Sequence, residues 1–167
     1  MIRILGIDPG YAIVGWGIVD SASGGFKTPG FGAVTTDAGT PFGRRLEMIY
    51  DGITEVIEKY SPDAMAIEKL FFNTNTTTAI DVAQARGCIM LAAVKSGIPV
   101  YEYTPLQVKQ AVTGHGRAAK AQVMYMTKML LGLKETPKPD DTADALAMAI
   151  CHGYVSGSLM TRLKGVK

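Results

Sequence analysis

Only two cysteines occur in 167 residues, Cys88 and Cys151, and neither C-x-x-C nor a His-Cys cluster accompanies them. That argues against a disulfide framework and a zinc site, and leaves two reduced core thiols of the kind a cytosolic protein carries. Long apolar runs are missing too. None approaches the roughly 20 residues needed to span a bilayer, so no membrane association is expected. The stretch Met1 to Gly6 is too short for a signal peptide and is soon followed by the acidic Asp8, and a cytoplasmic location is expected. No G-x-x-x-x-G-K-[ST] string is present, which counts against a P-loop nucleotide site. Charge of one sign is not concentrated: 17 Lys and Arg face 15 Asp and Glu, a net +2 that by itself implies no polyanionic partner. Neither an internal repeat nor a long linker interrupts the chain. With 47% hydrophobic residues it can build one core, and 167 residues leave no room for a second domain of comparable size.

What is present divides by period. Residues 2–8 form a short β-branched stretch that ends at the turn signal Asp8-Pro9-Gly10. A second strand is expected over 11–20, where Gly15 and Gly17 permit close packing by a neighbour, and a third over 26–35. Their short connections predict an antiparallel meander. From Leu46 to Tyr60 the apolar positions recur at three and four residues, an amphipathic helix. A strand over 63–70, a helix over 78–95 and a strand over 98–103 follow, the last placed near an edge by Pro99. Helices are expected over 105–112, 118–131 and 141–154. The order predicts a ribonuclease-H-like α/β fold: a five-stranded mixed sheet, parallel beyond the meander, with helices on both faces. A single domain over 1–157 and a short basic tail over 158–167 are expected.

Three element ends carry acids on otherwise apolar segments. Asp8 closes the first strand, and Glu68 follows Ala64-Met65-Ala66-Ile67. A charge in such a place costs several kcal/mol if buried and unpaired. Each could instead be a solvated strand end. Asp141 and Asp144 open an alanine-rich helix, and their i,i+3 spacing puts them side by side on one face. Ordinary N-cap and dipole chemistry would explain either alone. Together the three ends point to a cation. Oxygen ligands without a His-Cys cluster favour Mg2+, with Mn2+ able to substitute, over zinc. A pair of ions would activate water and stabilise the leaving oxygen of a phosphodiester displacement. With those four charges set aside as metal ligands, net charge rises from +2 to +6. Residues 101–167 carry nine Lys or Arg against five Asp or Glu.

The strings Gly6-Ile7-Asp8-Pro9-Gly10, Ala66-Ile67-Glu68, Gln84-Ala85-Arg86-Gly87, Gln107-Val108-Lys109-Gln110, Lys120-Ala121-Gln122-Val123 and Asp141-Thr142-Ala143-Asp144-Ala145-Leu146 occur in that order. In order and spacing, over nearly the whole length, the chain resembles the RuvC family of bacterial Holliday junction resolvases. The resemblance implies a homodimeric endodeoxyribonuclease that cuts two strands of a four-way junction symmetrically in recombination and repair. It implies Asp8, Glu68, Asp141 and Asp144 as catalytic metal-binding acids, leaving out the neighbouring Asp140. It places Lys109 and Lys120 near the scissile phosphate and Phe71 against junction bases, with Phe72 directly after it as the alternative ring. Arg117, in the 114–117 loop, is a candidate backbone-phosphate contact, as is the loop over 73–78. RuvA and RuvB, the branch-migration proteins, are the implied partners.

Competing readings remain at this level. Gly6-Ile7-Asp8-Pro9-Gly10 and a following hairpin also resemble the first phosphate-binding turn of actin-like ATPases and sugar kinases, which need a second similar domain. A non-catalytic DNA-binding module would be expected to have lost at least one acid. A nuclease of the same fold acting on another branched or flapped substrate is the third alternative. For the dimer, the helix over 78–95 offers Ala79, Ala83 and Gly87 at four-residue spacing, with Cys88, Met90 and Leu91 nearby. The same alanines would equally suit packing on the helix's own sheet.

Overall fold

A computed structural model describes residues 1–23, 25–69 and 76–165, with backbone alone at 76, 77 and 158–165. The chain runs β1 (Ile2–Asp8), β2 (Ile13–Ala22), β3 (Gly25–Thr35), α1 (Phe42–Tyr60), β4 (Ala64–Glu68), α2 (Thr76–Lys95), β5 (Val100–Tyr103), α3 (Pro105–Thr113), α4 (Lys120–Leu130) and α5 (Asp140–Gly165). The strands form one sheet in the order β3-β2-β1-β4-β5. β1, β2 and β3 pair antiparallel, while β4 adds to β1 and β5 to β4 in parallel. This is the ribonuclease-H-like mixed sheet that the element order predicts, with β5 on the edge.

Strand alternation sorts the core into two layers. Leu5, Ile7, Val14, Ile18, Met65 and Ile67 pack against α1 and α2. Ile4, Val19, Ala66 and Tyr103 face the other way, against α3, α4 and α5. On that second face β1 and β2 carry glycines where larger residues would stand. A Cβ on Gly6 would lie 1.9 Å from the Ala145 carbonyl oxygen, and one on Gly15 2.1 Å from that of Asp141. One on Gly17 would meet the Leu146 side chain at 2.5 Å. The sheet therefore receives the backbone of α5 directly, and the start of that helix is set by strand glycines. Thr142, fully buried, adds a hydrogen bond from its hydroxyl to the Gly32 carbonyl at 3.2 Å.

Two helices differ from expectation. α1 begins a turn early, at Phe42, because Phe42-Gly43-Arg44-Arg45 shows no apolar period to announce it. Arg45 in that turn is buried, donating from Nε to Thr36 Oγ1 at 2.8 Å and from Nη2 to the Tyr11 carbonyl at 3.2 Å. α5 continues past Tyr154 to Gly165. Leu, Met, Arg and Lys after Gly157 are good helix formers and no proline stops them. Among the described residues no helix is long and apolar enough to cross a membrane.

Candidate active site

β1 and β4 run parallel with Ile7 opposite Ile67, so the next residues, Asp8 and Glu68, end adjacent strands on the same side. Alternation puts both on the face that α5 covers, since Gly6 and Ala66 one step earlier lie against that helix. The glycine contacts then bring the first turn of α5 to the strand ends. Asp8, Glu68 and Asp144 line one cavity of about 230 Å³. Asp141 is not part of its lining but lies close enough to raise the Asp8 pKa through its charge.

The electrostatics follow from this crowding. Burial, then the charges of Asp144, Glu68 and Asp141, push the Asp8 carboxyl up to about 8. Burial and Asp144 likewise raise Glu68, with Arg86 opposing. Negative charge is gathered in a half-buried place faster than the protein's own cations offset it. Lys120 offsets the charge at Asp8, and its Nζ lies 2.8 Å from Asp144 Oδ2 and 3.9 Å from Asp140 Oδ2. That hydrogen bond raises the lysine's own pKa.

Two lysines reach the cavity from different helices. Thr104 and Gln107 cap α3 reciprocally, at 3.2 and 2.8 Å, with Pro105 at its first turn. The helix so fixed presents Lys109 to the cavity. Lys120 occupies the first residue of α4, where Gln122 Oε1 accepts from the Ala119 amide at 2.9 Å. Val108, Val123 and Met148 supply apolar wall. Arg117 stands elsewhere, exposed on a second depression with His115, Gln122 and Tyr125. Phe71 and Phe72 lie outside the described residues, as do residues 73–75 of the expected 73–78 loop, while residues 76–78 already belong to α2.

The donor set is suited to a hard dication: carboxylates line the cavity, and neither a thiol nor an imidazole does. Among the described residues no three His, Cys, Asp or Glu side chains already stand together at ligand spacing. The acids are neighbours sharing a field, and Lys120 is the cation that Asp144 holds.

Sequence reasoning did not find Arg86 as part of this neighbourhood. Its Nε donates to the Glu68 carbonyl at 3.1 Å, and its guanidinium pairs with Glu102. Helix spacing cannot reveal a contact made around the end of a strand. Gly15 and Gly17 did announce a close approach, but not by which element.

A family model described as crossover junction endodeoxyribonuclease RuvC matches residues 4–152. A protein of that name from Brevibacillus brevis is 58% identical over 151 residues, 90% of this chain and 91% of its own length. Another, from Clostridioides difficile, is 56% identical over 163 residues, 98% and 96% of the two chains. Thermus thermophilus RuvC in complex with Holliday junction substrate superposes with a TM-score of 0.89 at 38% identity, covering 93% of this chain and 95% of that one. A match of this extent leaves no place for the nucleotide-binding half domain. With the sheet, the acid-lined cavity and these relatives in agreement, the chain belongs to the RuvC family of crossover junction endodeoxyribonucleases.

Proposed function

We propose that this enzyme resolves four-way DNA junctions by hydrolysing one phosphodiester bond in each of two strands. Asp8, Glu68, Asp141 and Asp144 are its catalytic, metal-binding acids. The supporting observation is the convergence of three element ends on one acid-lined cavity that two lysines share. Mg2+ is the proposed ion, with Mn2+ able to replace it and two ions per site. When bound, they supply a water nucleophile of lowered pKa and charge neutralisation at the leaving oxygen. The protein's part is to hold the acids, exclude bulk water with the Val108, Val123 and Met148 wall, and place Lys109 and Lys120 toward the phosphate. Arg117 and Phe71, or Phe72 in its place, contact the arms of the junction. One nuclease domain spans 1–157, followed by the basic tail 158–167. The working location is the cytoplasm, with RuvA and RuvB as partners. The first test is a labelled junction held in chelator: it should be bound but intact, and cut when Mg2+ is added.

Lys120 separates two roles. If its ammonium moves from Asp144 to the phosphate as charge develops, Lys120→Ala should lower the cutting rate by about 10²-fold with little change in affinity. A residue that only holds DNA would instead lose affinity and flatten the salt dependence by about one phosphate contact. An unchanged rate with unchanged binding returns Lys120 to the surface.

Paired nicks need two sites related by the junction's own pseudo-symmetry, and a homodimer supplies them. Ala85, Ile89, Ala92 and Ala93 of α2 are buried against its own sheet. Ile80 (59% exposed), Leu91 (52%) and Val94 (64%) point outward. Gly87 lies on the same exposed side, with open space where a Cβ would stand. We assign the dimer contact to this stripe, which leaves Ala79 and Ala83 half-buried at its margin. Leu91→Glu should sediment as a monomer at micromolar concentration and lose coordinated nicking. A parent chain that is monomeric both free and on a junction would contradict the assignment.

A further inference from the structure

We propose that Arg86 is a positioning residue for the nuclease reaction: it reaches from α2 around the strand ends and fixes the backbone that carries Glu68. The inference rests on the reading of Glu68 as a metal-binding acid.

The geometry is that of a clamp across two strands. Arg86 is only 11% exposed at its side chain. Its three nitrogens have three different partners. Nε donates to the Glu68 carbonyl at 3.1 Å, Nη1 lies 3.1 Å from Met90 Sδ, and Nη2 pairs with Glu102 Oε1. Glu102 sits on β5 opposite Ile67, so the fork ties the end of β4 to the edge strand. On the same strand end the Lys69 amide donates to the Tyr103 carbonyl at 2.9 Å, carrying the pairing one residue beyond β4. Glu68 therefore presents its carboxylate to the cavity from one sheet face while its main chain is held from the other.

A clamp of this kind contributes placement more than stability. Desolvating a guanidinium and a carboxylate costs about what their attraction returns, so a well-packed apolar replacement is often neutral. A carboxylate meant to hold an ion gains from a main chain that cannot drift, and outer contacts to metal-site residues commonly matter by about 10–100-fold in metal affinity or activity. Lysine is no substitute, because it lacks the planar fork that reaches two acceptors at once.

The decisive variants are Arg86→Met, which fills the space beside Met90, and Arg86→Lys, which keeps a charge for Glu102. Both are expected to bind the junction like the parent and to melt near the parental temperature in chelator. Both should cut about 10–100-fold more slowly at fixed Mg2+ and need more Mg2+ for half-maximal rate. Independently of cutting, the rise in melting temperature that Mn2+ gives the free protein should shrink. Glu102→Gln, which leaves the bond to the Glu68 carbonyl, should show the same changes more weakly. If Arg86→Met does not fold, Arg86→Lys decides. Parental metal dependence and an undiminished Mn2+ shift in the folded variants would overturn the proposal. So would a loss of junction affinity and melting temperature in step with the rate, which is the mark of a merely structural residue. Glu68→Gln separates the two levels: if it still cuts at the parental rate, the reading of Glu68 fails. If it is inactive while Arg86→Met is normal, only the clamp fails.

Discussion

Asp8→Asn should lower junction cutting by at least about 10²-fold, leave junction affinity near the parental value, and raise the melting temperature of the protein in chelator. The first effect follows from removing the charge of a proposed metal ligand at constant volume. The third follows from the field at the site. The folded chain holds the Asp8 proton up to about 8, against an ordinary value of 3.8, through burial first and then the neighbouring acids. The folded state thus keeps a proton that the unfolded chain releases. The Asp8 contribution to stability without metal is therefore fully present below 3.8, is lost as pH rises toward about 8, and levels off above that. Asparagine carries no charge at any of these values, so the variant's stability should slope less over the same window. Thermal melts from pH 4 to 9 in chelator, beside cutting and binding assays, test all parts; a variant that melts lower and slopes as steeply as the parent would mean Asp8 is not the strained charge described.

Gly15→Ala should displace the first turn of α5, the turn that carries Asp141. Its Cβ would stand 2.1 Å from the Asp141 carbonyl oxygen and 2.3 Å from the carbonyl carbon, and neither belongs to a flexible side chain that could swing away. Either α5 lifts from the sheet or β2 bends. Overpacking of this kind costs about 1–3 kcal/mol. Because the displaced turn carries Asp141 and, one turn on, Asp144, the cutting rate should fall further than stability alone explains. Gly25→Ala is no fair control, since Gly25 has a φ of +113°. Gly43→Ala is, with open space around it in α1. Urea denaturation of the three proteins, with cutting measured well below each midpoint, should show Gly43→Ala near parental and Gly15→Ala deficient in both; a fully active Gly15→Ala would contradict the close approach.

The fold was largely legible because its signals are local. The change from period 2 to period 3.6, the Asp-Pro-Gly turn and Pro99 placed the meander, the helices and the edge strand without reference to distant residues. Asp8 and Glu68 stood out as charges on apolar strands, and Asp141 with Asp144 through helix spacing. What was hidden depends on partners far away in sequence. The first turn of α1, with no apolar period, is held because Arg45 finds Thr36 and the Tyr11 carbonyl. Arg86 read as part of a family string, and only the pairing of β4 with β5 gives its fork two acceptors. On α2, small residues at four-residue spacing fit either side of a helix. Burial shows Ala85, Ile89, Ala92 and Ala93 turned inward, leaving the larger Ile80, Leu91 and Val94 outside.

The most direct test of the whole reading is a substrate panel: a mobile four-way junction, a linear duplex and an RNA–DNA hybrid of matched sequence, each incubated with the protein in Mg2+ and in chelator. The proposed metal site, repeated on the proposed two-fold dimer, predicts paired, symmetric nicks in the junction, cutting of neither linear substrate, and no cutting in chelator. Equal cutting of the duplex or the hybrid, or junction cleavage that survives removal of the metal, would contradict it.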